Sequence, residues 1–188
     1  MNLTPYNSLK PADQKRLFVL VLVITLLLLV VNNYINAPLV TDPAPYGIIS
    51  FELSQTTNQA VLILDSWDQQ AKLHAAFGLG IDYLFMPAYA MAIGLACVLS
   101  AGAVRARRWP LAGVGLLLAW ALWLAALLDA IENIALITLL FGNITDPWPA
   151  IASWCAIFKF GLVFAGMIYA FYGLVVRLVI RERDPGNK

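Results

Sequence analysis

The sequence predicts an all-α, polytopic membrane protein, an antiparallel four-helix transmembrane bundle with an amphipathic helix on its outer surface. Three observations predict it. The 188 residues are 61% hydrophobic and 12% charged, against roughly 45–50% apolar and about 25% charged in soluble domains. The apolar residues gather in four stretches, 17–35, 75–99, 111–141 and 150–176, and each has the roughly 20 residues that cross about 30 Å of hydrocarbon as a helix. The net charge of +1 hides a regular alternation of basic residues along the chain. Lys10, Lys15 and Arg16 precede the first span; Arg105, Arg107 and Arg108 lie between the second and third; Arg177, Arg181, Arg183 and Lys188 follow the fourth. The other connections hold only Lys72. Positive residues mark the cytoplasmic side, so both termini are expected there.

Residues 1–16 form a polar lead broken by Pro5 and Pro11, with Asp13 placed to cap the entry to span one. Span one is the purest, apolar from Leu17 to Val31 except for Thr25. Ile35-Asn36-Ala37 lacks the small residue that a signal-peptidase site needs at its first position, so the span is expected to be retained. The outer loop, 36–74, opens with Pro38, Pro43 and Pro45, which forbid a continuous helix. After Gly47 the pattern changes. Thr57 or Asn58 can cap a helix to Trp67 whose apolar face carries Ala60, Ile63, Leu64 and Trp67, spaced for a helix lying on the membrane surface as a partial lid. Asp146-Pro147-Trp148-Pro149 marks a turn and the start of span four. Trp148 and Trp154 on one side and Trp109 on the other fit an aromatic belt. The short connections between spans two, three and four make those helices antiparallel neighbours.

Ionisable residues inside the apolar spans carry the functional content. Asp82 lies in span two, Asp129 and Glu132 in span three and Lys159 in span four. A charge at membrane depth costs at least about 2.5–3.5 kcal/mol and marks a functional site by default. At 1.5 Å per residue, Glu132 and Lys159 fall at about the same depth and are expected to touch. Asp129, Glu132 and Asn133 share one helical stripe. Lys159 shares its stripe with Val163, Gly166, Ala170 and Gly173, small residues that let membrane helices approach. Pro87 leaves the carbonyl of Tyr83 without its helical donor beside Asp82, and Asn32 and Asn33 bring amides to the outer end of span one. The expected ligand-binding set is Asn33, Asp82, Tyr83, Asp129, Glu132, Asn133 and Lys159. One lysine does not neutralise three carboxylates, so protons or a cationic ligand must supply the balance. No ionisable residue follows in the inner half, so the pocket is expected to open outwards or sideways.

Several chemistries are disfavoured. His74 is the sole histidine, too few for a zinc or haem site, so neither a metal nor a cofactor is expected. Cys97 and Cys155 belong near opposite ends of the bundle, beyond disulfide reach. No phosphate loop or nucleophilic triad is present, and the short juxtamembrane basic clusters read as topology signals, not as a nucleic-acid surface.

Phe51-Glu52-Leu53, Ile63-Leu64-Asp65-Ser66-Trp67, Asp82-Tyr83-Leu84-Phe85-Met86-Pro87-Ala88-Tyr89, Leu128-Asp129-Ala130-Ile131-Glu132-Asn133 and Lys159-Phe160 resemble a family of bacterial four-span inner-membrane proteins. That resemblance implies a location in the bacterial inner membrane and carries no activity. The layout is also similar to EXPERA-type sterol isomerases and sterol-binding proteins, four-span bundles with acidic residues inside, but it lacks their His and Glu pattern in span two. The first expectation is a pocket binding a small amphipathic or lipidic ligand, or a partner transmembrane span. The second is a membrane-embedded acid/base enzyme acting on a lipid, isomerase-like, with Asp82 or Asp129 as donor, Glu132 as base and Lys159 setting their charge. A proton-linked transporter, a homo-oligomer in that case, and a structural accessory subunit stay open. Expected partners are membrane lipids, further copies of the chain or another membrane protein.

Overall fold

The structure, a computed structural model, describes residues 4–181. The basic residues Arg183 and Lys188 lie outside the described residues. Among the described residues the chain is all-helical, and four of its helices are long and apolar enough to cross a membrane. They pack together as a bundle, which makes this a multi-pass membrane protein.

Helix α1 (Pro11–Asn36) starts one and a half turns before the apolar stretch. Pro11 sits in its first turn, where a missing N–H costs nothing. Asp13 therefore lies within the first turn rather than ahead of it, beside the positive end of the helix dipole. A short 3₁₀ turn, Ala37–Leu39, leads into α2 (Ile48–Glu52) and α3 (Thr57–Ser66). Gly47 makes the turn before α2 with φ +61°, and the Asn36 amide occupies the place a side chain would need. Asn36 Oδ1 in turn accepts from the Ile48 N–H at 2.7 Å. The cap of α3 is Thr56, whose hydroxyl accepts from the Gln59 N–H at 3.3 Å. That is one residue earlier than the pattern predicts.

The apolar face of α3 is not laid on lipid. Ala60, Ile63, Leu64 and Trp67 are buried with Leu39, Phe51, Ala71, Ala75, Leu136 and Leu139. The helix stoppers the end of the bundle, because its apolar face finds protein as well as a bilayer surface would serve it. Trp67 donates its indole N–H to the Leu39 carbonyl at 2.9 Å and meets Phe51 edge-on at 5.3 Å. This is the connector end of the bundle.

Helix α4 (Gln69–Ala106) begins six residues before the apolar stretch, because Asp68 caps it by accepting from the Ala71 N–H at 2.7 Å. It runs through Pro87 without breaking. Helices α5 (Ala112–Leu140) and α6 (Trp148–Arg181) complete the bundle. The α4–α5 turn is tied back to α6: Arg107 donates to the carbonyls of Val176 and Arg177 at 2.8 and 3.1 Å, and the Tyr169 hydroxyl donates to the Leu111 carbonyl at 3.1 Å. At Gly115, on α5, both α4 and α6 approach closely. A methyl group there would stand 2.7 Å from the Cys97 carbonyl oxygen and overlap the Tyr169 ring.

Helix α4 is the hub, touching α1, α5 and α6, while α1 rests mainly on α4 alone. Most of α1 is therefore bare of protein, with Leu20, Leu27 and Val30 more than half exposed. In a bilayer this face meets acyl chains. The consequence that matters is a gap: α1 and α6 stand as two walls over α4 without closing on each other.

Candidate functional site: a buried carboxylate–lysine cluster at the head of a lateral groove

Lys159 is the centre of the cluster, only 6% exposed. Its ammonium donates to Asp129 Oδ1 at 2.7 Å and lies 2.9 Å from each oxygen of Glu132. The expected Glu132–Lys159 contact is thus present, and Asp129 shares it although it sits almost one turn deeper on α5. A lysine side chain is long enough to absorb that offset. Asp129 Oδ2 accepts from the Tyr89 hydroxyl at 3.0 Å, so both its oxygens are engaged.

A fourth carboxylate completes the cluster. Glu52, at the end of α2, is 4% exposed, and its Oε2 stands 3.7 Å from the Lys159 ammonium without a hydrogen-bond partner. Burial, the largest cause, pushes the Glu52 carboxyl above its ordinary range, and the Lys159 charge opposes this. Ser153, on α6, positions α2. Its hydroxyl donates to the Glu52 carbonyl at 2.8 Å and accepts from the Gln55 N–H at 2.9 Å. Glu52 comes from the connection and not from a span, so a search confined to ionisable residues inside apolar spans misses it. The available signal was its place as the lone charge in the apolar run Ile48-Ile49-Ser50-Phe51-Glu52-Leu53.

The remaining expected residues divide. Asp82 is reached by α1, but through Asn32, whose Nδ2 donates to Asp82 Oδ1 at 3.0 Å. Asn33 also lines the groove, but it is exposed and its amide donates to its own helix at the Leu29 carbonyl, 3.0 Å away. One residue on a helix is a rotation of about 100°, which separates the two amides. Asn133 is fully buried and donates to the Leu79 carbonyl at 3.2 Å, tying α5 to α4. Tyr83 is not among the groove-lining residues: it is 43% exposed, and its hydroxyl donates to the Ala130 carbonyl on α5 at 3.5 Å. Tyr89 is the tyrosine that meets the cluster.

The gap between α1 and α6 forms a groove of about 610 Å³, within the roughly 300–1,000 Å³ of small-molecule sites. Its head, at the connector end, holds Asn32, Asn36, Glu52, Asp82, Asp129 and Lys159. Beyond these the walls are apolar, with Leu22, Leu26 and Phe18 on α1 and Val163, Met167 and Ala170 on α6, over a floor of Ala92, Ile93 and Ala96. From Ile35 to Phe18 along α1 the groove runs roughly 25 Å at 1.5 Å per residue. It opens sideways between helices, one of the two directions expected from the uncharged inner half. Glu132 and Asn133 are packed behind it and do not line it.

Among the described residues no cluster of His, Cys, Asp and Glu has the makings of a metal site. The arrangement supplies a polar, acidic head next to a long apolar channel. No protein family, curated protein or solved structure matches the chain.

Proposed function

We propose that the protein binds an amphipathic, lipid-like ligand in the groove between α1 and α6, with the polar group at Asp82 and the carboxylate–lysine cluster and the apolar part along Ala92, Ile93 and Ala96. The observation that carries this reading is the groove itself, polar at one end, apolar over the rest and open to the bilayer along its side. A ligand of that build enters from the membrane without crossing water, and only its head needs hydrogen bonds. Thr25 lines the groove midway, so Thr25→Trp fills it. Mass spectrometry of lipids extracted from the purified protein is expected to find a species that Thr25→Trp lacks. Leu117→Trp, on an exposed face of α5, is expected to keep it. Identical lipid content in all three proteins would remove the proposal.

A second reading, acid/base catalysis on that ligand, is favoured by the hydrogen-bonded run Tyr89–Asp129–Lys159–Glu132, whose first three members face the groove. Chemical change of the bound species between wild type and Asp129→Asn would distinguish it from binding alone.

We also propose, from the basic residues flanking the spans, that both termini are cytoplasmic and the head of the groove lies in the outer leaflet; a bacterial inner membrane is what the sequence resemblance implies. Reporter fusions are expected to be cytoplasmic at Lys188 and periplasmic when inserted between Thr56 and Gln59. A periplasmic C-terminus would invert the orientation.

A further inference from the structure

The charge at the head of the groove selects among amphiphiles. Three carboxylates line it, Glu52, Asp82 and Asp129, and Lys159 is the only cationic side chain among the lining residues. That lysine is already engaged, at 2.7 Å with Asp129 and 2.9 Å with Glu132, and stands 3.7 Å from Glu52 Oε2, an ion-pair distance that gives this oxygen no hydrogen bond. Asp82 has an amide for a partner, Asn32, and no cation within salt-bridge distance among the described residues. Among the described residues that line the groove, two buried acceptors are left without hydrogen bonds, Glu52 Oε2 and Asn32 Oδ1. Glu52 is 4% exposed and faces the groove, so its unpartnered oxygen is not explained by water at the surface. A buried acceptor of this kind costs free energy unless a donor or a positive charge meets it. The rings of Phe85, Tyr89 and Phe160 also line the head, and aromatic faces attract weakly hydrated cations.

We propose that the ligand's polar group is a cation, an amine or a quaternary onium centre, seated between Asp82 and Glu52. This rests on the groove being a ligand site. A phosphate or carboxylate head would meet three carboxylates across one committed lysine, and like charges in a medium of low dielectric repel strongly. A cationic head makes up the positive charge that the cluster lacks, and an amine N–H also donates to the open acceptors, while the apolar part lies on Ala92 and Ala96.

Three probes of similar aryl build separate charge from shape: tetraphenylphosphonium, tetraphenylborate and uncharged triphenylphosphine oxide. Equilibrium dialysis would use the full chain in phosphatidylcholine nanodiscs, counting binding above that of Thr25→Trp discs, which corrects for partition into the lipid. Tetraphenylphosphonium is expected to bind at least tenfold more tightly than either other probe. Asp82→Asn and Glu52→Gln are each expected to weaken it at least tenfold without changing the thermal midpoint by more than a few degrees. Two variants are used so that failure of one to fold leaves the other decisive. Borate or oxide binding as tightly as the phosphonium, and lost in Thr25→Trp, would keep the groove as a site and overturn its cation preference. Absence of phosphonium binding would also overturn it; if the native lipid is still lost in Thr25→Trp, the groove reading survives. No native lipid and no bound probe would end both.

Discussion

Lys159→Met is expected to lose about 3–5 kcal/mol of stability, the usual cost of removing one partner from a buried ion pair. Methionine keeps most of the apolar stem and removes the ammonium, so the loss reports charge rather than packing. In the wild type that ammonium lies 2.7 Å from Asp129, 2.9 Å from Glu132 and 3.7 Å from Glu52; without it, three buried carboxyls are left with no counter-ion. Thermal and denaturant unfolding in detergent measure the effect. The partner substitutions then apportion it. Lys159→Met with Glu132→Gln is expected to recover part of the loss. Adding Asp129→Asn is expected to recover more, because both carboxylates share the one lysine and their contributions are not additive. From sequence, the Glu132 change by itself would be expected to rescue almost all of it. The second carboxylate at hydrogen-bond distance makes that rescue partial. Wild-type stability in Lys159→Met would mean that the cluster is not held together by its ion pairs.

Gly115→Ala is expected to destabilise by about 1–3 kcal/mol, the cost of overpacking a close-packed interior. The new methyl would meet the Cys97 carbonyl oxygen at 2.7 Å and the Tyr169 ring. The ring can swing aside, but the carbonyl belongs to the α4 backbone, so α4 and α5 must separate. Tyr169 would then lose its hydroxyl contact with Leu111, now 3.1 Å. Gly113→Ala, two residues away with open space at the same position, is expected to leave the thermal midpoint within a degree or two, or to raise it through better helix propensity. Equal midpoints for the two variants would contradict the close α4–α5 approach.

Much of the architecture was legible because membrane spans announce themselves by length and apolarity, properties that each segment has in isolation. The starts of α1 and α4 were read late for the same reason. Pro11 and Asp68 begin those helices in polar sequence that an apolar window does not see. The amphipathic face of α3 was also plain, but what covers it was not: periodicity says which residues avoid water and is silent on whether lipid or protein shields them.

The site divides in the same way. Asp129, Glu132 and Lys159 stand out in sequence, since a charge in an apolar span is conspicuous and depth can be counted along a helix. Glu52 stands in a connection, where an acidic residue is ordinary. Only the packing of α2 through Ser153 brings it to Lys159. The choice of Asn32 over Asn33, and of Tyr89 over Tyr83, turns on the rotation of α1 and α4 about their own axes, which residue types alone do not set.

By itself the sequence determined a four-span membrane helix bundle and an acidic layer with one lysine, because hydrophobic length, charge and spacing along one helix are properties of a single segment. The groove was decided by the tertiary structure. It exists because α1 rests on α4 without closing on α6, and a space between elements depends on their relative placement, which no segment encodes alone.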